Sequence, residues 1–461
     1  MRMTITPRLR VNEEEPSPIV RDFGLYTESL CNNRTPLTPK NQYLAKKHLY
    51  QINQLMKTFV TDDNPNLDQP SYPLLNLFYH LALSGQLFRK VQSKGGRFEL
   101  QPTERYRSYQ SLTPAEKYFS LLETLWIDVD WNELNPVRYH DEPEMNIGNV
   151  FRFVSQQKLG RVIAVSVKED RLLKNLMDQL GYYIFCLSFY GFWEATRDEE
   201  AIDTLFSKYD FRAATLTPSR FGVTVAGILA TTRNLPYWNI PSRRRYGETR
   251  VIPGSPLPSQ NRYRQFQEMI KEFSRGKRYR IKGKKDRISK EEEPVYKEEP
   301  FILPFAVFFA PGELETFLPR EQVGVGGNFT FKVSLNKVWR RVKLSAQHTL
   351  EDLHLIIQEA FEFNNDHLYC FFMDGKRWSR KAYYSPDGDG GPYANSITLG
   401  ELDLEPGRQI LYLFDYGEEW CFRVILEDIA QGDPGLLEPA ITEQRGEAPP
   451  QYPLGDDWED E

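Results

Sequence analysis

Cysteine is scarce in this sequence: four in 461 residues, at Cys31, Cys186, Cys370 and Cys421, with no Cys-x-x-Cys pair. That spacing argues against a zinc site built on paired cysteines and gives no sign of a disulfide framework. Cys186 lies in an apolar run and Cys421 in a strand-like one, the setting of buried free thiols. Long hydrophobic runs are missing as well. No stretch reaches the roughly 18 apolar residues of a membrane-spanning helix. The start, Met1-Arg2-Met3-Thr4-Ile5-Thr6-Pro7, lacks the apolar core of a secretion signal. The expected location is the cytoplasm, with no membrane contact. Charge of one sign is not in excess: 58 Lys and Arg against 64 Asp and Glu leave a net charge of -6, unlike a protein coated for nucleic acid. No Gly-x-x-x-x-Gly-Lys-[Ser/Thr] phosphate loop and no Gly-x-Ser-x-Gly elbow occurs, so two common enzyme signatures are absent. No cofactor and no metal are expected.

Aromatic residues are plentiful, 13% of the chain with 25 Tyr and 29 Phe. A chain this long and this aromatic can bury large cores in roughly two to four domains. Residues 1–36, polar and carrying Glu13-Glu14-Glu15-Pro16, read as an irregular arm. Three Leu-Thr-Pro signals follow, Leu37-Thr38-Pro39, Leu112-Thr113-Pro114 and Leu216-Thr217-Pro218. Each places a capping Thr and a first-turn Pro ahead of a helix-like segment. Glu116 completes a capping box with Thr113.

Helical spacing at Leu74, Leu75, Phe78, Leu81 and Ala82 is followed by Gly85, a helix stop. A strand at 87–91, a Lys94-Gly95-Gly96 turn, a return strand at 98–100 and a helix from Pro114 to Trp126 come next. That order outlines a winged helix over residues 37–135. A weaker copy spans 136–240: a helix through Leu172, Leu173, Leu176 and Leu180, strands at 192–196 and 211–215, and a closing helix from Ser219. Residues 241–300 read as a linker, Pro-rich at first, then basic from Arg275 to Lys290, then acidic.

Residues 301–455 change character. Phe329, Phe331, Val333 and Leu335 alternate along a strand, with its hairpin partner at 339–344. Thr349 caps a helix whose buried side is Leu350, Leu353, Ile357 and Phe361. Strands are expected at 367–373, 409–415 and 420–426, giving a β-grasp-like α+β domain. Residues 456–461 form an acidic tail. The fold class is therefore multi-domain α+β, with mainly helical winged-helix-like units ahead of that domain.

Within this last region, Val338-Trp339-Arg340-Arg341-Val342, then Leu353-His354-x-x-Ile357-Gln358, then His367-Leu368-x-x-Phe371, then Tyr412-x-Phe414-Asp415-Tyr416-Gly417-x-x-Trp420 follow in order. This set resembles the plasmid pRiA4b ORF-3-like family. The N-terminal half is similar to longer members, and residues 446–453 resemble their closing segment. Many members carry His or Glu soon after the Trp that follows the Asp-x-Gly motif, whereas Cys421-Phe422-Arg423 stands here. Some members are described as resolvase-like passengers of insertion elements. Residues 1–60 offer no nucleophilic Ser backed by an Arg cluster.

The family-motif positions are Trp339, Arg340, Arg341, His354, His367, Asp415, Gly417 and Trp420. His354, Asp366, His367, Asp415 and Glu418 form the most enzyme-like cluster, since imidazole and carboxylate can hold a metal or exchange protons. Each also has a structural explanation: His354 borders an apolar helix seam, and Asp415-Tyr416-Gly417-Glu418 is hairpin-turn chemistry. Asp387-Gly388-Asp389-Gly390-Gly391 opens like a calcium loop but lacks the closing Glu. Arg275, Lys277, Arg278, Arg280, Lys282, Lys284 and Lys285, interleaved with Tyr279, are candidate phosphate contacts. Two functions are expected to compete. One is a non-catalytic binding protein of mobile-element or host-defence context, with a protein partner and candidate nucleic-acid contacts. The other is a metal-assisted enzyme using His354, His367 and Asp415.

Overall fold

The computed structural model describes residues 8–33, 36–38, 41–61, 64–92, 98–136, 143–200, 207–245, 251–257, 299–315, 318, 327–379, 381–388, 392–402, 404–430, 436 and 438–452. The chain divides into two compact units, the first built from the N-terminal part and the second from the C-terminal part. The fold is mixed α+β.

The first unit contains one chain path twice. In the first passage α1 (Ile19–Asn32) leads to an extended bridge at Pro36 and Leu37, then to α2 (Lys46–Asn53), α3 (Pro73–Ser84) and a hairpin of β1 (Phe88–Gln92) and β2 (Phe98–Pro102). α4 (Glu104–Gln110), α5 (Pro114–Ile127) and α6 (Trp131–Leu134) follow. In the second passage α7 (Pro143–Ser155) leads to β3 (Ile163–Ala164), α8 (Arg171–Gln179), α9 (Gly181–Ser188) and a hairpin of β4 (Trp193–Arg197) and β5 (Ala213–Pro218). α10 (Arg220–Ala230), α11 (Leu235–Trp238) and α12 (Ile240–Arg245) close it. In both passages the short extended segment lies beside the second hairpin strand. Leu37 N–H bonds Phe98 O at 2.7 Å and Val165 N–H bonds Ala214 O at 2.8 Å.

Several boundaries differ from expectation. The arm at 1–36 is not irregular: Ile19, Phe23, Tyr26 and Leu30 form a buried stripe on α1, at helical spacing that the neighbouring acid run obscures. The regions 37–135 and 136–240 are not separate domains, because their side chains share one hydrophobic cluster. Residues 301–318 belong to the first unit rather than to the C-terminal domain. Phe305 packs on Phe119 with centroids 5.0 Å apart, and Leu9 N–H bonds Phe308 O at 3.0 Å.

Described residues near both ends of the stretch 241–300 are bonded to the first unit. Gly254 N–H bonds Tyr237 O at 2.9 Å, while on the C-terminal side Phe301 packs on Trp238 at 5.6 Å and Arg233 bonds Phe301 O at 2.9 Å. Of the three Leu-Thr-Pro signals only Thr113 caps as expected, in a full box with Glu116. Thr38 instead accepts from Tyr43 N–H in a turn, and Ser219 rather than Thr217 caps α10.

Aromatic side chains fill this core, and the polar ends of several find carbonyls. Trp126 Nε1–H donates to Arg233 O at 2.6 Å, Trp131 Nε1–H to Leu125 O at 2.8 Å and Tyr118 O–H to Tyr190 O at 2.6 Å. Each bond removes the penalty of burying a donor unpaired. Gly181 is required by packing: a Cβ there would stand 1.7 Å from Phe211 O, so α9 meets the hairpin only through glycine.

The second unit is a seven-stranded antiparallel sheet of β6 (Asn328–Leu335), β7 (Val338–Ser345), β8 (Tyr369–Phe372), β9 (Ala382–Tyr384), β10 (Gln409–Phe414), β11 (Trp420–Ala430) and β12 (Ala440–Arg445), in the order β12-β7-β6-β11-β10-β8-β9. α13 (Leu350–Phe361) covers one face, and its Thr349–Asp352 capping box is complete. Phe329, Phe331, Leu353 and Ile357 are in the core as expected, joined there by Phe422, and Leu413 belongs to a smaller cluster with Cys370, Phe372 and Ala382. β9 and β12, which lack an alternating apolar signal, extend the five expected strands at the two edges.

Candidate functional site

The motif residues of the second unit lie where α13, the strand ends and the C-terminal segment meet. His354 projects from α13 into the core and is fully buried. Its ring stacks on Tyr369 at 3.7 Å and 7°. Nδ1 lies 2.7 Å from the Tyr412 hydroxyl, Nε2 lies 2.9 Å from Asn365 Oδ1, and Gln358 Nε2–H donates to the same hydroxyl at 2.7 Å. One arrangement of protons satisfies all three contacts: Tyr412 O–H donates to Nδ1, and Nε2–H donates to Asn365. The imidazole is then neutral. Burial pushes it down to about 3 and pushes the Tyr412 phenol well up.

Asp415 ends β10 in the left-handed region at φ 56°. Its Oδ1 accepts from Gly417 N–H at 2.8 Å and Glu418 N–H at 3.3 Å, the bonds of an Asx turn. Its Oδ2 lies 3.5 Å from Nε2 of the partly exposed His367, and Asp366 Oδ1 lies 3.8 Å away. Asp366 accepts from Gln451 Nε2–H at 3.0 Å and from the Tyr452 hydroxyl. Desolvation raises the Asp366 carboxyl, but the Tyr452 and Gln451 bonds outweigh it and hold the group below its ordinary value. The same Tyr452 bond pushes that phenol up to about 12.

Asp366, His367 and Asp415 thus come together, while His354 is held apart in the core with both ring nitrogens engaged. Among the described residues no group of three or more His, Cys, Asp or Glu side chains is placed to hold a metal.

The remaining motif positions are structural ties. Arg340, buried, donates to Ala360 O at 2.7 Å and to Gly446 O at 3.1 Å, joining the end of α13 to the C-terminal segment. Arg341 pairs with Glu427 and Glu443 across the sheet. The Lys332 and Arg341 cations lie 4.8 and 5.3 Å from the Trp339 ring centre, and Trp420 packs edge-on against Phe363 at 5.0 Å. Asn365, Gln451 and Tyr452 were not singled out from the sequence, and Tyr412 was named only as part of a motif string. Gln358, four residues after His354 and so on the same helix face, carried a readable signal.

In the first unit, α3 and α9, the third helix of each repeat, pack on each other. Asn76 of α3 donates to the Tyr182 hydroxyl of α9 at 3.0 Å and to Leu134 O at 3.1 Å. Both helices are almost wholly buried, and neither contains Lys or Arg. The basic residues Arg275, Lys277, Arg278, Arg280, Lys282, Lys284 and Lys285 lie outside the described residues, as do the Lys94-Gly95-Gly96 turn and most of the Asp387–Gly391 loop.

The second unit is thus an α+β module defined by one helix on an antiparallel sheet and by a buried His–Tyr–Gln–Asn network. Residues 328–456 match the family model of the plasmid pRiA4b ORF-3-like protein, and this module carries that family's sequence. The uncharacterized protein y4hQ of Sinorhizobium fredii is 31% identical over 127 residues, which cover 26% of this chain and 61% of that protein. The chain therefore spans about three fifths of that relative. A solved protein of unknown function from Methanosarcina mazei Go1 is 24% identical, with a TM-score of 0.23, over 27% of this chain and 72% of its own.

Proposed function

We propose that this chain is a non-catalytic interaction protein that binds another protein, in the mobile-element or defence setting suggested by the plasmid name of the family. The observation that carries this reading is the mutual burial of α3 and α9. Helix, short strand, two helices and hairpin, with the short strand beside the second hairpin strand, is the order of a winged helix. In such a unit the third helix reads DNA in the major groove. Here those helices are apolar and turned onto each other, so the repeats favour a role as an interaction scaffold. The structural engagement of His354 and Asp415 supports the absence of chemistry at the motif residues. Nucleic-acid contact, in this reading, is left to the hairpins and to the basic run.

Binding of duplex DNA and single-stranded RNA to the full chain at low salt tests the reading. Any binding should be salt-dependent, and changing Lys282, Lys284 and Lys285 to Gln should lower the salt slope by roughly one unit per lost phosphate contact. Sequence-specific DNA binding that resists salt would overturn it. So would a stoichiometric transition metal in purified protein that is lost in His367→Ala.

A further inference from the structure

The two repeats of the first unit differ at one sheet edge. In the first, the far side of the 36–37 segment is filled by the chain itself. Leu37 pairs with Leu44 in an antiparallel bridge, Thr38 N–H bonds Tyr43 O at 2.8 Å, and both leucines are buried. In the second repeat the corresponding strand, β3, is the outer strand of its sheet, and no described residue pairs with its far side.

Register decides which groups that edge offers. Ile163 stands opposite Leu216, and Ala164 opposite Thr215. Val165 N–H is directed at Ala214. The alternation of an antiparallel ladder then turns the N–H and C=O of Ala164 outward. Around this edge four large apolar residues are exposed: Leu159 at 59%, Val162 at 63%, Val167 at 62% and Leu172 at 81%. Isolated exposed apolar residues are ordinary, but a cluster beside an unpaired strand marks an interaction surface. The flanking charge is mainly positive. Lys158, Arg161, Lys168 and Arg171 are exposed, against Glu169 and Asp170. The Asp170 carboxylate is occupied by the N–H groups of Leu172 and Leu173 at 2.9 and 3.0 Å.

We infer that the open edge of β3 docks an extended segment of a protein partner whose side chains alternate apolar and acidic. The segment pairs with β3 as Leu44 pairs with Leu37. Main-chain bonds at Ala164 supply register, Val162 on one face of the segment meets the apolar side chains, and Arg161 on the other face meets the carboxylates. The inference rests on the reading as a binding protein and names the class of partner.

Hydrogen exchange on the full chain tests it, with a blocked peptide of alternating Glu and Val as the probe and its Lys–Val counterpart as the control. The acidic peptide should slow exchange across residues 159–167, and the basic one should not. Ala164→Pro removes only the outward donor and should weaken binding about tenfold. Val162→Glu, which leaves the backbone intact, should weaken it in the same direction if the proline variant does not fold. Equal binding of the basic peptide, or unchanged binding by both variants, overturns the inference. Protection at other residues removes the edge but leaves the binding-protein reading standing. No binding of either peptide removes the edge alone, since the broader reading is decided by nucleic-acid and metal analysis. Protection of 159–167 that grows with protein concentration without peptide would assign the edge to a second copy of this chain.

Discussion

The two units differ in how far apart in sequence their touching residues lie. In the second, two hairpins, β6–β7 and β10–β11, lay down much of the ladder between neighbours in sequence. In the first, closure depends on distant returns: Leu9 on Phe308, Thr113 on Glu313 and Trp126 on Arg233. Local pairing leaves alternation and turn residues that can be read directly. Distant return leaves only an apolar run, without an address.

The comparison can be broken first at α1. Phe23→Ala should cost the first unit about 3–5 kcal/mol by transfer and cavity terms, because Phe23 is fully buried among Tyr26, Phe78 and Tyr109. Two unfolding transitions are expected, and only the one assigned to the first unit should move. Ile357→Ala should do the converse, lowering the second transition by about 2–5 kcal/mol. If either substitution moved both transitions equally, the division into two units would fail.

A smaller effect distinguishes the buried His354 from the half-buried His80. Burial holds His354 down to about 3 and His80 down to about 4, whereas an unfolded histidine titrates near about 6.5. Between those values the unfolded chain binds the proton and the folded chain does not. The stabilising contribution is therefore complete above about 6.5 and is lost as pH falls, by up to about 1.4 kcal/mol per pH unit for each histidine. His354→Gln should flatten the acid slope of the second transition and leave that of the first. An unchanged slope would mean that the imidazole is not held neutral by burial. Smallest of all, Arg341→Ala should cost about 0–1 kcal/mol, because its pairs with Glu427 and Glu443 are part-exposed and screened. Double-mutant cycles with Glu427 would measure it.

The C-terminal segment sharpens the comparison further. Beyond the five strands expected from sequence, β12 pairs with β7 and Gln451 bonds Asn364 and Asp366. A fragment ending at 430 loses both ties and should unfold at lower denaturant than one ending at 452. Equal midpoints would show that the segment is only an ornament on the sheet.

By itself the sequence determined the Thr113 and Thr349 capping boxes, the alternation of β6, the helix seam of α13 and the turn at Asp415. Each depends on residues within a few positions of one another, where backbone geometry leaves few choices. It also marked His354 at the edge of an apolar seam. That Tyr412 and Asn365 complete its hydrogen bonds was decided by strand order and a loop. Only the tertiary structure decided that α3 and α9 bury each other and that β12 covers one sheet edge. It alone decided that Leu44 fills an edge in one repeat while no described residue pairs with the matching edge of β3. The physical reason is that hydrophobic burial is non-directional: a sequence states which faces must leave water, and only the folded chain settles which of them meet.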